Sequence, residues 1–431
     1  MEIQAAESGN RLLLLARTFP YSNGEVAAES YLETEIGILA NRFEEVVAVG
    51  TEAPKGAKLT CELPANVRPV ALGVGNSKSD KVSEAVQGGA LRLFGPPFVR
   101  EALSGDPAAN TIGKQGFLCY FVARAYRKYE ALLETLAALG MQPTHVYSFW
   151  FWDTALTVVW LKEAYPCTFA FARAHGYDLY SYRSRRCYLP LREYLLERLN
   201  WVFPCSADGR DFINAKWPGH ERQVATAYLG TRDLADRSRA VRTGSFRIAS
   251  CSRVVPIKRV GLIADAMALL DADGVHAEWT HFGDGVDLSD VKAKISNLSN
   301  VRCEFSGAVP NSELLKIYGQ RDFDLFVNVS ESEGLPISLM EACGAGIPVL
   351  ATDVGGTREI VRPGLNGDLL PEDISARKLA NALKAFAELS DGEYLSLRRG
   401  ARRVWEEDFR AAKNVGKFVD TVLGINGGDA G

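Results

Sequence analysis

Short apolar runs rich in β-formers alternate with longer stretches of helical period, and that alternation restricts a chain to parallel sheets covered by helices. The pattern is most regular after residue 245. Runs at 246–251, 276–282, 301–305, 324–329 and 347–351 read as strands. Apolar positions Val260, Ile263, Ala266, Met267 and Leu270 mark a helix after the first of them, and further helices fall at 288–298, 312–318, 337–344 and 357–361. Five β-α units in succession define a doubly wound α/β domain. The first half repeats the pattern less regularly, with strands at 11–16, 45–50, 145–149, 168–174 and 202–205 and a helix over 28–40.

With 431 residues, 47% of them hydrophobic and 24% charged, the chain has apolar material for a core in each of two or three domains, and disorder is excluded. We place a first Rossmann-like domain at 1–230, a polar linker at 231–245, a second Rossmann-like domain at 246–403, and a helix with its tail at 404–431 that crosses back to the first domain. The expected architecture is α/β, two doubly wound domains facing across a cleft, with ligands outside the carboxyl ends of the strands. The net charge of −4 gives no cationic field for nucleic acid. Eight scattered cysteines with no C-x-x-C pair suggest neither a zinc site nor a disulfide framework. No run reaches the ~18 apolar residues of a membrane span, so the expectation is a soluble cytoplasmic chain, with peripheral membrane attachment left open.

Three common motifs fail. Gly73–Ser79 lacks the glycine that a Walker A loop needs before its lysine, since Ser77 stands there. No G-x-G-x-x-G follows the first strand, which removes the main support for nicotinamide chemistry. Asp322-Phe323-Asp324 runs straight into an apolar strand and reads as its polar entry.

The segment 330–354, SESEGLPISLMEACGAGIPVLATDV, is more informative. A strand ends, a Glu-Gly turn follows, and Pro336 suits the first turn of the next helix, where its missing N–H is no loss. The N–H groups of Gly334, Leu335 and Ile337, on either side of Pro336, then lie at a helix N-terminus, which favours an anion such as a phosphate. Glu333 and Glu341 are eight residues apart, something like ~10 Å along a helix, too far to act as an acid and base pair on one bond. They suit opposite ends of one elongated ligand.

This Glu-x7-Glu stretch, with Glu-Gly-Leu-Pro at 333–336 and Val-Gly-Gly at 354–356, resembles the retaining family-4 glycosyltransferases of the GT-B fold. The resemblance implies that Glu333 faces the sugar of a nucleoside-diphosphate sugar and that Glu341 holds its ribose. The loop Ser252-Arg253-Val254-Val255-Pro256-Ile257-Lys258 is similar to the family's G-R-x-x-x-x-K-G. It implies that Arg253 and Lys258 neutralise the departing diphosphate, although the family's two glycines are Ser252 and Arg259 here. Gly283, in Phe282-Gly283-Asp284-Gly285, and Val309, before Asn311 and Glu313, resemble further donor-contacting turns. Gly24 resembles the glycine that approaches the diphosphate from the first domain. Arg173-Ala174-His175-Gly176-Tyr177-Asp178 resembles the His-Gly-x-Asp loop, which puts His175 near the reacting carbon, with Arg173 and Asp178 on the acceptor side.

The implied activity is transfer of a sugar from a UDP- or GDP-sugar to an acceptor hydroxyl with retention of configuration, and no metal or other cofactor is expected. Relatives with this motif variant imply a lipid-linked saccharide acceptor in exopolysaccharide, capsule or O-antigen assembly; a soluble acceptor is the alternative. A non-hydrolysing sugar-nucleotide epimerase, a phosphorylase and an inactive nucleotide-sugar binder are the rivals. Arg183, Arg185, Arg186, Arg192 and Arg198, interleaved with Tyr180, Tyr182, Tyr188, Tyr194 and Trp201, suit either a membrane-facing surface or a solvated helix. A helix candidate at 90–103 is a weaker membrane contact.

Overall fold

The computed structural model describes residues 9–21, 29, 31–74, 101, 112–166, 168–184, 186–234 and 244–425. Gly24, Arg185, residues 75–79 of the failed Walker A match, most of the helix candidate at 90–103 and positions 235–243 of the expected linker lie outside them. The chain divides into two units, Met1–Ala227 with Val415–Gly431, and Tyr228–Asn414.

The first unit is built on a parallel sheet of β1 (Arg11–Ala16), β2 (Glu45–Gly50), β3 (Val67–Ala71), β4 (His145–Ser148), β5 (Phe169–Ala174) and β6 (Trp201–Pro204), in the order β3-β2-β1-β4-β5-β6. In β1 the side chains alternate between two cores: Leu13 and Leu15 enter one, Leu12, Leu14 and Ala16 the other. That is why the strand reads as an unbroken apolar run. Helices α2 (Ile112–Leu139) and α3 (Asp153–Ala164) cover the first face through Leu118, Phe121, Val122, Ala125 and Val159. The second face is covered by α1 (Leu32–Ala40), through Leu32, Ile36 and Leu39, and by Val415, Phe418, Val419 and Val422 from the end of the chain. Two shorter helices, α4 (Arg192–Arg198) and α5 (Ala207–Lys216), flank β6.

The second unit repeats the plan with β7 (Phe246–Cys251), β8 (Ala277–Phe282), β9 (Val301–Phe305), β10 (Leu325–Asn328), β11 (Val349–Thr352) and β12 (Gly367–Leu370), all parallel, in the order β12-β11-β10-β7-β8-β9. Its helices are α6 (Val260–Ala272), α7 (Leu288–Lys294), α8 (Asn311–Gln320), α9 (Ile337–Gly344), α10 (Thr357–Ile360), α11 (Ala376–Ala387) and α12 (Asp391–Val404). Strand order reverses between β1 and β4 in one sheet and between β7 and β10 in the other. Those are the two switch points where an open sheet leaves a crevice for ligand.

The segment expected as one helix from 404 onward is broken. α12 ends at Val404, a π-helical turn runs over Trp405–Phe409, and α13 (Ala411–Val422) follows. The break has a cause: Thr231 N–H donates to the Phe409 carbonyl at 3.0 Å and Ala411 N–H to the Thr231 carbonyl at 3.0 Å, which holds Arg410 extended between them. Trp405, fully buried, donates through Nε1 to Thr231 Oγ1 at 2.7 Å and covers Gly344, where a Cβ would stand 3.1 Å from that nitrogen. Residues 228–234 therefore pack as part of the second unit.

Candidate functional site

The loop after β7 is fixed from below by its neighbours. Ser252 N–H donates to the Phe282 carbonyl (3.0 Å), Val254 N–H to Asp284 (2.9 Å) and Gly283 N–H to Gly307 (2.8 Å). Gly283 has φ of 141°, and a Cβ there would lie 1.9 Å from the Ser252 carbonyl oxygen, so only glycine lets the loop come this close. Gly283 thus supports the Arg253 loop from beneath. Arg253 is exposed, and its guanidinium has no ion-pair or hydrogen-bond partner among the described residues. Lys258, at the end of a 3₁₀ turn (Pro256–Lys258), instead reaches Glu333 Oε1 at 2.6 Å.

Glu333 follows β10 and is 7% exposed. Burial alone would raise its carboxyl. Lys258, with hydrogen bonds from Ser330 and from Asn328 Nδ2 (3.2 Å), holds it below the usual carboxylate range. The backbone around it is also pinned, since Gly356 N–H donates to the Gly334 carbonyl at 2.9 Å and Gly355 passes so near that a Cβ would sit 2.1 Å from the Glu333 carbonyl oxygen. Leu335 and Pro336 are buried, and Pro336 is the residue immediately before α9. The first amides of α9 consequently lie at the switch-point end of the sheet, without intrahelical acceptors.

Glu341, in the second turn of α9, accepts from Asn311 Nδ2 at 2.6 Å. Burial pushes its carboxyl up to about 7 against that hydrogen bond. Cys251, at the end of β7, is pushed up to about 12 by burial and by the nearby Glu341 carboxylate. Val309 is half-buried two residues before Asn311, at the entrance to α8. The structure thus places Arg253, Lys258, Glu333, Gly334 and Gly283 beyond the carboxyl ends of β7, β8 and β10, and Glu341 in α9, the helix that follows β10.

In the first unit the imidazole of His175 packs among Phe149, Trp150 and Tyr31. Its Nε2 lies 2.9 Å from the Phe149 carbonyl. A carbonyl only accepts, so Nε2 carries the proton, Nδ1 keeps its lone pair, and burial holds the ring neutral. Arg173 and Asp178 depart from the acceptor-side expectation. Arg173 is fully buried, paired with Glu35 at 2.8 Å and stacked on Phe418 at 4.5 Å. Asp178 is fully buried and accepts from the backbone N–H groups of Phe151 (2.8 Å), His175 (2.9 Å) and Gly176 (3.0 Å), shaping the loop from within. Tyr180, Tyr188 and Arg192 are likewise buried, so only part of the Arg/Tyr-rich region, including Tyr182 and Arg186, is surface.

Three contributors escaped sequence reasoning. Asn328 links the end of β10 to Glu333, a role hinted at only by a polar residue closing an apolar strand. Glu29 accepts from the backbone N–H groups of Arg17, Thr18 and Phe19, each at 2.8 Å, and from Trp150 Nε1 at 2.5 Å, which orders the turn after β1. A buried charge cluster joins Glu52 and Asp153 to Arg17, Arg124 and Lys128, with Lys128 Nζ 3.0 Å from Asp153 and Arg17 Nη2 3.0 Å from Glu52. Among the described residues no group of three His, Cys, Asp or Glu converges to hold a metal ion, and no helix is long and apolar enough to cross a membrane.

All the second-unit side chains above fall within one stretch of recognisable kinship. Residues 231–404 match the family model of the glycosyl transferases group 1. The group 1 segment runs from the Thr231 bridge to the end of α12 and leaves the His175 loop outside. Among curated proteins, the chain is 28% identical over 250 residues to the putative colanic acid biosynthesis glycosyltransferase WcaL of Escherichia coli K12, covering 54% of this chain and 59% of that one. It is 30% identical over 172 residues to the O-antigen biosynthesis glycosyltransferase WbnH of Escherichia coli, covering 39% and 46%. The matches thus span 59% of the first relative's length and less than half of the second's. Among solved structures, a sucrose-phosphate synthase from Thermosynechococcus elongatus aligns over 97% of this chain and 100% of its own, with a TM-score of 0.72 at 15% identity. The lipopolysaccharide outer core galactosyltransferase WaaB aligns over 96% and 99%, with a TM-score of 0.63 at 13% identity. The fold shared with these neighbours is GT-B.

Proposed function

We propose that this chain is a retaining glycosyltransferase that moves a sugar from a UDP- or GDP-sugar to an acceptor hydroxyl, with a lipid-linked saccharide of exopolysaccharide, capsule or O-antigen assembly as the acceptor. The observation that carries the reading is the placement of Lys258 against Glu333, with Glu341 in the second turn of α9, at the switch point of a sheet whose segment matches the group 1 family. The names of the WcaL and WbnH relatives support the polysaccharide context.

In this reading the diphosphate lies at the first turn of α9, under Arg253 and Lys258. The bond from the anomeric carbon to the phosphate oxygen breaks, and its electron pair leaves with the diphosphate. Two cations and the helix N-terminus meet that charge, the electrostatic stabilisation that most favours such a step. The acceptor oxygen forms its bond on the face the phosphate leaves, and its proton passes to the departing phosphate oxygen, so no protein nucleophile and no metal is assigned. Glu333, kept ionised, accepts from hydroxyls of the sugar, and Glu341 from those of the ribose. The first unit takes the acceptor; neutral His175, with Nδ1 as its available acceptor, orients by hydrogen bonding. The exposed Tyr182 and Arg186 suit a peripheral contact with the inner face of the cytoplasmic membrane.

The test is release of nucleoside diphosphate from UDP- and GDP-sugars with and without a lipid-linked saccharide. Acceptor-dependent release supports a transferase; release that ignores acceptor means a hydrolase; binding without release means a carrier.

A further inference from the structure

Arg259 stands where the resemblance calls for glycine, and it adopts the conformation that glycine favours, with φ of 47° and ψ of 37°. A side chain held there is strained, and strain of this kind persists where surrounding contacts over-determine it. Those contacts are present. The guanidinium of Arg259 donates from Nε to the Val329 carbonyl at 2.7 Å, from Nη2 to Ser330 at 3.4 Å and from Nη1 to Glu372 at 2.7 Å. All three acceptors are main-chain carbonyls just beyond the carboxyl ends of β10 and β12. Beside them, Glu331 N–H donates to the Ile257 carbonyl at 2.9 Å, and Thr352 Oγ1 to Ser330 at 2.6 Å.

We infer that Arg259 is a positioning residue: its fork ties the loop after β7 to the strand ends that carry Glu333, and so sets the register in which Lys258 meets Glu333. The inference rests on the reading of the second unit as a nucleotide-sugar site. The geometry singles out arginine because one planar group with five donors can reach carbonyls on two separate loops, whereas a lysine ammonium on one stem serves a single point. Arg259 touches no part of the diphosphate in this account. Its effect passes through Lys258, its neighbour in the chain, and through Glu333, four residues beyond Val329.

Two substitutions test it in the full-length protein. Arg259→Gly relieves the backbone and deletes the fork, and Arg259→Lys keeps a charge without the fork. For each, melting temperature, uridine and guanosine diphosphate affinity, turnover and the pH profile of kcat/KM are measured beside wild type. The expected result for Arg259→Gly is a melting temperature close to wild type, turnover lower by at least ~10-fold because catalytic groups out of register lose their advantage steeply, and an acid limb moved to higher pH as Glu333 loses its fixed cation. Arg259→Lys should recover part of the turnover and part of the limb. If Arg259→Gly does not fold, Arg259→Lys decides alone by the same two readouts. Wild-type turnover with an unmoved acid limb in a folded variant overturns the positioning role. A wild-type protein that neither binds nor releases nucleoside diphosphate overturns instead the reading of the site itself.

Discussion

Lys258 and Glu341 carry opposite risks in the same sheet crevice. Lys258 meets a carboxylate at 2.6 Å and is suited to charge that grows as a phosphate leaves. Lys258→Ala should therefore lower turnover roughly 10²-fold, the scale of one lost electrostatic donor, and a folded variant with near-normal turnover removes that role. Glu341 instead costs stability. Its folded carboxyl is raised from the ordinary glutamate value of 4.5 to about 7, so both folded and unfolded chains hold the proton below the lower value. Between the two values the unfolded chain ionises first, and stability falls as pH rises, reaching a floor above the folded value. Glu341→Gln should thus raise the melting temperature by roughly 2 °C or more at pH 8 and by much less at pH 5; equal shifts at both would contradict the buried, partly protonated carboxyl. Both residues were legible in the sequence because they sit in the two stretches that carry the family resemblance, the Arg253–Lys258 loop and the Glu-x7-Glu segment. Asn328, Glu29 and Arg259 were not, since what each side chain holds becomes apparent only once loops distant in sequence have met. Arg173 misled for the same reason: the sequence places it beside His175, and the fold turns it inward to Glu35 and Phe418.

At the level of elements, strands buried on both faces read as apolar runs, and β1, β2, β7 and β9 have the expected limits. β3 was missed because it is an edge strand with exposed Arg68 and Pro69, and β12 because its four residues begin with glycine and aspartate. The long periodic α2 went unassigned despite its apolar stripe at Leu118, Val122, Ala125 and Leu132. The break at Phe409–Arg410 could not be read locally, since Thr231 imposes it from 178 positions away in the case of Phe409. The loop after β7 depends on two glycines beneath it, Gly283 and Gly285, the second so close that a Cβ would sit 2.2 Å from the Val254 carbonyl oxygen. Gly283→Ala would drive a Cβ against the Ser252 carbonyl and displace Arg253, so uridine or guanosine diphosphate affinity should fall by at least ~10-fold, the order of a single displaced charge-assisted contact. Calorimetric titration of a folded Gly283→Ala protein with wild-type affinity would show that this support is dispensable.

For the whole molecule, a near-neutral net charge hides a local one. The exposed Arg253 and the paired Lys258 form a cationic end on one sheet, while the −4 total reports only the sum. The division into units is also not that of the linear chain, because residues from Val415 onward belong with the first unit. Phe418 is 2% exposed and meets Tyr147, Phe171 and Phe203, with ring centroids at 5.5, 5.8 and 5.0 Å. Phe418→Ala should cost about 3–5 kcal/mol in the transition of the first unit and leave nucleotide-dependent stabilisation of the second in place; an unchanged melting profile would show that the returning helix contributes nothing. Transfer itself is read out by nucleoside diphosphate release from UDP- and GDP-sugars with and without a lipid-linked saccharide, in wild-type and Lys258→Ala protein. A glycosyltransferase of this design shows acceptor-dependent release that falls roughly 10²-fold in the variant; release independent of acceptor, or equal in the two proteins, contradicts it.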